Sequence, residues 1–108
     1  RHVEVSLSRQ VLALFYPGGQ IYKIIMISSG KPSTPTVRGS FSVFSKTAGY
    51  NSLGMLDSDY FAAGGFAIHG YPEVPTYAAS HGCVRAPITN ARFLYNWIQY
   101  GTRVDVYG

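Results

Sequence analysis

The chain has a single cysteine, Cys83, in 108 residues. One cysteine excludes an internal disulfide framework and leaves the redox compartment open. Long apolar runs are missing as well. The longest, Ile24-Ile25-Met26-Ile27, falls far short of the ~20 residues that a membrane helix needs. Acidic residues are few: five Asp and Glu against nine Lys and Arg give a formal charge of +4. The basic residues, among them Arg9, Lys23, Lys31, Arg38, Lys46, Arg92 and Arg103, are spread without forming a run. A positive surface concentrates anionic partners, whether acidic polymers or acidic peptides. Neither an RNA-binding sheet signature nor zinc-finger spacing is present, so the charge does not imply a nucleic-acid partner. Repeats, low-complexity tracts and linkers are also lacking. Arg1 opens the sequence without an initiating Met or a signal-peptide pattern, and the expectation is the mature or trimmed portion of a longer protein.

What is present describes one folded domain over residues 1–108. The hydrophobic fraction of 46% and aromatic fraction of 15% suit a globule, and the length suffices for a core without disulfides or metal. Val3, Val5 and Leu7 alternate with Glu4, Ser6 and Ser8. Val11 to Tyr16 and Gln20 to Ser28 flank Pro17-Gly18-Gly19, which predicts a hairpin. Ser28 to Thr36, "SSGKPSTPT", is a loop whose prolines exclude it from a central strand. Gly39 to Phe44 reads as a strand, and the polar stretch Lys46 to Asp59 as a long loop. Phe66-Ala67-Ile68 reads as a buried strand delivering His69 at its end, and Gly70 to Ala79 as a further loop. Ala91, Leu94, Trp97 and Ile98 fall at helical spacing, with Thr89 placed to cap the helix and Gly101 to end it. Arg103 to Tyr107 alternates as a closing strand. The fold class is mainly β with one substantial helix.

Three roles are open to Cys83. As a free thiol it would be a small buried hydrophobe, but the polar, turn-prone approach Ser80-His81-Gly82 is unlike the apolar element that surrounds an inert cysteine. As a metal ligand it could join His69 and His81. Structural zinc sites take four ligands, commonly from paired short spacings, and with His2 far away the fourth would have to be a carboxylate. As a nucleophile it uses more of its neighbours. A histidine on an adjacent strand takes the thiol proton and lowers its pKa by pairing with the thiolate. Gly82 permits a sharp turn, and the N–H groups of Gly82 and Cys83 can meet an oxyanion. Arg85 offers a bidentate donor for a substrate carboxylate or a fixed charge beside the thiolate.

These residues carry a resemblance. "FAIHG" (Phe66 to Gly70) followed by "SHGCVR" (Ser80 to Arg85) resembles the signature of the L,D-transpeptidase catalytic domain, the YkuD-like family. "SSGKPSTPTVRGSF" (Ser28 to Phe41) and "LYNWIQYGTRVDVYG" (Leu94 to Gly108) resemble its loop-to-strand stretch and its closing helix and strand. The paired motifs in order are specific, where "HGC" alone is weak.

The resemblance implies a β-sandwich or barrel of that family and an exported, extracytoplasmic bacterial enzyme of peptidoglycan synthesis, a function tied to cell-wall biogenesis and cell shape. Such an enzyme cross-links stem peptides, donor to acceptor, through an acyl-cysteine. It implies Cys83 as nucleophile, His69 as general base and later acid, and the Gly70 carbonyl as the group orienting that histidine. Ser80, His81 and Gly82 match the loop shaping the site, with the Gly82 and Cys83 amides in the oxyanion hole. No metal or organic cofactor is implied. Carbapenem β-lactams are expected inhibitors, and the domain is expected to act as a monomer, touching a membrane only through other parts of its protein. Two readings of His81 stand side by side, proton transfer and a structural hydrogen bond to a backbone carbonyl. For His69 the plainer alternative is a satisfied core histidine. Arg85 either binds substrate or anchors the Cys83 loop through Asp57 or Asp59. Tyr60, Tyr71 and Tyr77 are candidates to line the groove. Only ten residues, Gly70 to Ala79, separate His69 from Ser80, fewer than is usual for the family, so the loop over the groove should be short. Two other activities fit the same motifs: an L,D-carboxypeptidase, in which water resolves the acyl-enzyme, and a catalytically silent wall-binding module.

Overall fold

Period-two alternation puts Val3 and Val5 inward and His2 and Glu4 on the opposite face of β1 (His2–Ser6) in the computed structural model, which describes residues 1–108. β2 (Val11–Phe15) and β3 (Ile21–Met26) pair antiparallel about the Pro17-Gly18-Gly19 turn, as expected. β1 lies between β2 and β9 (Arg103–Tyr107), antiparallel to the first and parallel to the second. With β4 (Gly39–Ser42) they form a five-stranded sheet in the order β3-β2-β1-β9-β4.

A second, four-stranded sheet runs β5 (Ser45–Tyr50), β6 (Leu56–Ala62), β7 (Phe66–Tyr71) and β8 (Val84–Pro87) in that order. The long loop expected over Lys46 to Asp59 is therefore a hairpin. Its charged residues are paired within the fold: Lys46 with Asp59, and Asp57 with Arg92. Val84–Pro87 was not expected as a strand. It is short, ends in proline, and is recognisable only by its parallel pairing with β7.

The helix α1 (Ile88–Trp97) follows β8 without a loop. Thr89 does not cap it. Pro87 occupies the cap position, with no side-chain cap bond, and Thr89 lies inside the first turn. Gly101 is left-handed at φ 85, but the helix already ends before extended Ile98, so this glycine shapes the turn into β9 instead.

Inward side chains of both sheets and the apolar stripe of α1 share one core, including Val5, Leu14, Val106, Phe61, Ile68, Val84, Leu94 and Ile98. Each such side chain, fully buried, contributes about 1.5–3 kcal/mol. Strand alternation then fixes the site. Ile68 and Gly70 of β7, with Val84 and Ala86 of β8, face the core and α1. Residues offset by one, His69, Tyr71, Cys83 and Arg85, face the other way.

Candidate active site

His69 sits in the middle of β7, register partner of Arg85 on β8, and is 4% exposed. Its Nδ1 lies 2.9 Å from the Gly70 carbonyl oxygen. A carbonyl only accepts, so Nδ1 carries the proton and Nε2 presents a lone pair. The ring meets Tyr71 edge-on at 5.8 Å. Burial pushes the His69 pKa down from its ordinary value. The Gly70 bond opposes this, and the Arg85 charge adds to it. The histidine is a neutral base at neutral pH. Its packing depends on Gly70, where a Cβ would stand 2.5 Å from the Cβ of Ala91 on α1.

Cys83 lies at the entry to β8 and is half-buried. Its Sγ donates to the Gly65 carbonyl at 3.3 Å, and no hydrogen bond joins it to His69. Burial pushes the thiol pKa up, against the Ala67 N–H and the Arg85 charge. This corrects the expectation that histidine pairing lowers it. The resting pair is a neutral thiol and a neutral imidazole, because burial outweighs the nearby charge.

The loop before Cys83 is held from both sides. Ser80, 1% exposed, donates its hydroxyl to the Cys83 carbonyl at 2.5 Å and accepts the Gly82 N–H at 3.1 Å. Its own carbonyl accepts the Lys31 N–H and the Thr34 hydroxyl, and its N–H donates to Ser29. Buried Thr36 donates to the Gly82 carbonyl at 2.7 Å while accepting the Gly30 N–H at 2.9 Å. Gly82 adopts φ +131, and a Cβ there would meet the Phe66 ring at 3.1 Å. Because the Gly82 N–H is bonded to Ser80, it is not the open oxyanion donor expected. The Cys83 N–H has no partner within the chain and is the free amide of the two.

His81 is exposed and makes no side-chain hydrogen bond, so the backbone-carbonyl bond weighed for it is absent. Arg85 stacks its guanidinium 4.2 Å from the Tyr71 ring centre and donates to the Glu73 carbonyl at 3.5 Å. It does not anchor the loop through a carboxylate. Asp59 is taken by Lys46, and Asp57 by Arg92 at 3.1 Å.

A cavity of about 620 Å³ unites the candidates: Cys83, His69, Ser80, His81, Arg85, Tyr60 and Tyr71 all line it. Tyr77, 66% exposed, does not. Leu53, Met55, Gly64 and Gly65 complete the wall, and sequence reasoning missed all four. The Gly64-Gly65 pair was the one legible signal, marking the turn that aims a carbonyl at the thiol. Thr36 was missed too, hidden in a stretch read as a plain loop. The three potential metal ligands that lie close together are His2, Glu4 and Asp105, and none of them lines the cavity. No helix is long and apolar enough to cross a membrane.

The family model of the L,D-transpeptidase catalytic domain (YkuD) matches residues 1–106. Among solved structures, the chain is similar to an L,D-transpeptidase from Xylanimonas cellulosilytica, at 35% identity and TM-score 0.90 over 97% of this chain and 59% of that one. It is similar to the Ldtfm–avibactam carbamoyl enzyme at 28% identity and TM-score 0.86, over 99% and 48%. An L,D-transpeptidase from Stackebrandtia nassauensis shares the fold at 23% identity and TM-score 0.87, over 99% and 55%. The chain thus spans between about half and three fifths of these solved chains. A search of curated proteins finds no match.

Proposed function

Because the chain belongs to the L,D-transpeptidase catalytic domain family, we propose that it is the acyl-transfer unit of an extracytoplasmic enzyme that cross-links peptidoglycan stem peptides. The observation that carries this reading is His69, with Nδ1 tied to Gly70 and Nε2 unprotonated, in one cavity with Cys83.

The Cys83 thiol leaves the Gly65 carbonyl and attacks the scissile carbonyl carbon of the donor stem. As the C–S bond forms, the thiol proton passes to His69 Nε2. Both groups rest neutral, so attack and proton transfer are coupled rather than preceded by a thiolate. The Cys83 N–H donates to the developing oxyanion. Collapse breaks the C–N bond, and the departing terminal residue takes the proton from His69. The acceptor amine then attacks the thioester, His69 removes its proton, and Sγ leaves as the thiol. The thioester conserves the energy of the broken peptide bond, so no ATP or cofactor enters. Arg85, held by Tyr71, is available to a stem carboxylate. The cavity is complete within one chain, which suits a monomer. β-Lactams would acylate the same sulfur, and a carbamoyl adduct with another ring-opening inhibitor, avibactam, is found in one of the similar structures.

Intact mass after incubation with a carbapenem tests this. The parent should gain one adduct, Cys83→Ala none, and His69→Ala should gain it slowly. Folded parent protein without an adduct, and without exchange or hydrolysis on tetrapeptide stems, would refute it.

A further inference from the structure

Leu53, Met55 and Tyr60 reach the cavity from the β5–β6 hairpin. Within its sheet β5 is an edge strand, bonded to β6 alone, and their register slips between Thr47 and Tyr50. Ladder bonds on one side leave such a strand free to shift. Lys46 adds a buried restraint beside the Asp57 carboxylate, which holds the Gly49 N–H and Arg92. Its Nζ donates to Asp59 Oδ1 at 2.5 Å, to the Tyr95 carbonyl at 2.8 Å and to the Ile98 carbonyl at 2.5 Å. An ammonium has three donors, and all three are used. The Lys46 side chain is 10% exposed and that of Asp59 1%, and Nζ also lies 4.1 Å from the Tyr95 ring centre. Tyr95 and Ile98 belong to the end of α1, whose last carbonyls lack intrahelical partners and favour a cation. The same helix packs against β7 at the Gly70–Ala91 approach, next to His69.

We propose that Lys46 is a positioning residue for acyl transfer: by clamping β5 to Asp59 and to the carboxy-terminal carbonyls of α1, it fixes the distance across the cavity between the hairpin wall and His69. Buried ion pairs contribute little net stability compared with apolar residues of similar volume. A fully bonded lysine on an edge strand therefore matters for where it holds that strand. The proposal rests on the acyl-transfer reading for what the hairpin seats, but the clamp itself is measurable without it.

Two variants separate positioning from stability. Lys46→Met leaves Asp59 buried without its partner and should melt lower than the parent. Lys46→Met/Asp59→Leu removes both ionisable groups and should recover most of that loss, while the helix carbonyls stay unclamped. Both variants should raise the half-saturating carbapenem concentration about tenfold, the effect of about 1.4 kcal/mol of lost positioning. The limiting acylation rate should stay within about twofold, and hairpin amides should exchange hydrogen about tenfold faster relative to those of β7. A double variant with the parent's half-saturation and hairpin exchange overturns the proposal, as does a limiting rate that falls in step with melting temperature. If the parent takes no adduct at all, the acyl-transfer reading fails, and hairpin exchange still decides the clamp.

Discussion

Replacing Gly70 by alanine would push β7 away from α1 at one defined place. The added Cβ would stand 2.5 Å from the Ala91 Cβ, 3.4 Å from the Leu56 Cβ and 3.5 Å from Ile88 Cδ1. Carbon atoms in contact settle at about 3.5–4.0 Å, so strand and helix must part by roughly 1 Å. Gly70 is not among the glycines with positive φ, which makes the cost steric alone. Overpacking of this kind costs about 1–3 kcal/mol. In a domain of this size each 1 kcal/mol lowers the melting temperature by roughly 4–8 °C. The displacement also falls on the carbonyl that holds His69 Nδ1, so acylation by a carbapenem should slow by more than the loss of folded protein explains. Adding Ala91→Gly removes the opposing Cβ. It costs about 1 kcal/mol in helix propensity, yet should return the acylation rate to near the parent's. Thermal unfolding and stopped-time mass spectrometry on the single and double variants decide it. A Gly70→Ala protein with the parent's melting temperature and acylation rate would refute the reasoning, and so would a double variant no faster than the single.

Thr36→Val keeps the side-chain shape but leaves the Gly30 N–H and the Gly82 carbonyl without their hydroxyl partner in a buried site. It should cost about 1–3 kcal/mol in chemical denaturation and slow acylation, and an unchanged midpoint would show that the Cys83 loop does not need this tie. In the folded protein, burial raises the Cys83 pKa, so the rate of iodoacetamide alkylation against pH should have its midpoint above the ~8.5 of a free thiol. Arg85→Met removes a charge that favours the thiolate and should push the midpoint higher still. A parent midpoint at or below the free-thiol value would contradict the neutral resting pair.

Much of this was legible in the sequence because the features are local. Alternation at Val3 and Val5, the Pro-Gly-Gly turn, and the order of "IHG" and "SHGCVR" each sit within a few residues, and the fold honours them. The β5–β6 hairpin was not legible, because its polarity is neutralised by distant partners. Asp59 is buried against Lys46 and the end of α1, and Asp57 against Arg92 and the Gly49 N–H. Burial also pushes the Asp59 carboxyl up to about 7, against the pull of Lys46. The same cause hid the state of Cys83. Its neighbours in sequence suggest a thiolate, but burial raises its pKa, and burial depends on where Phe66, Gly65 and the Ser28–Thr36 loop are folded. The direction of the Gly82 N–H was likewise settled by Ser80, two residues away, through a backbone turn that composition does not reveal.

On the acyl-transfer reading, the parallel pairing of β1 with β9 bears on when activity arises. It joins His2–Ser6 to Arg103–Tyr107, nearly the whole length of the chain apart. Contacts so distant in sequence close late and slow folding. Until the residues of β9 have been made, β1 lacks one of its two strand neighbours. The Cys83 loop leans on that same sheet, through Gln10 after β1 and Ser29 after β3. A partly synthesised or still unfolded chain therefore carries its sulfur without a base held beside it. On the acyl-transfer reading, base-assisted attack by Cys83 waits until β9 has paired with β1.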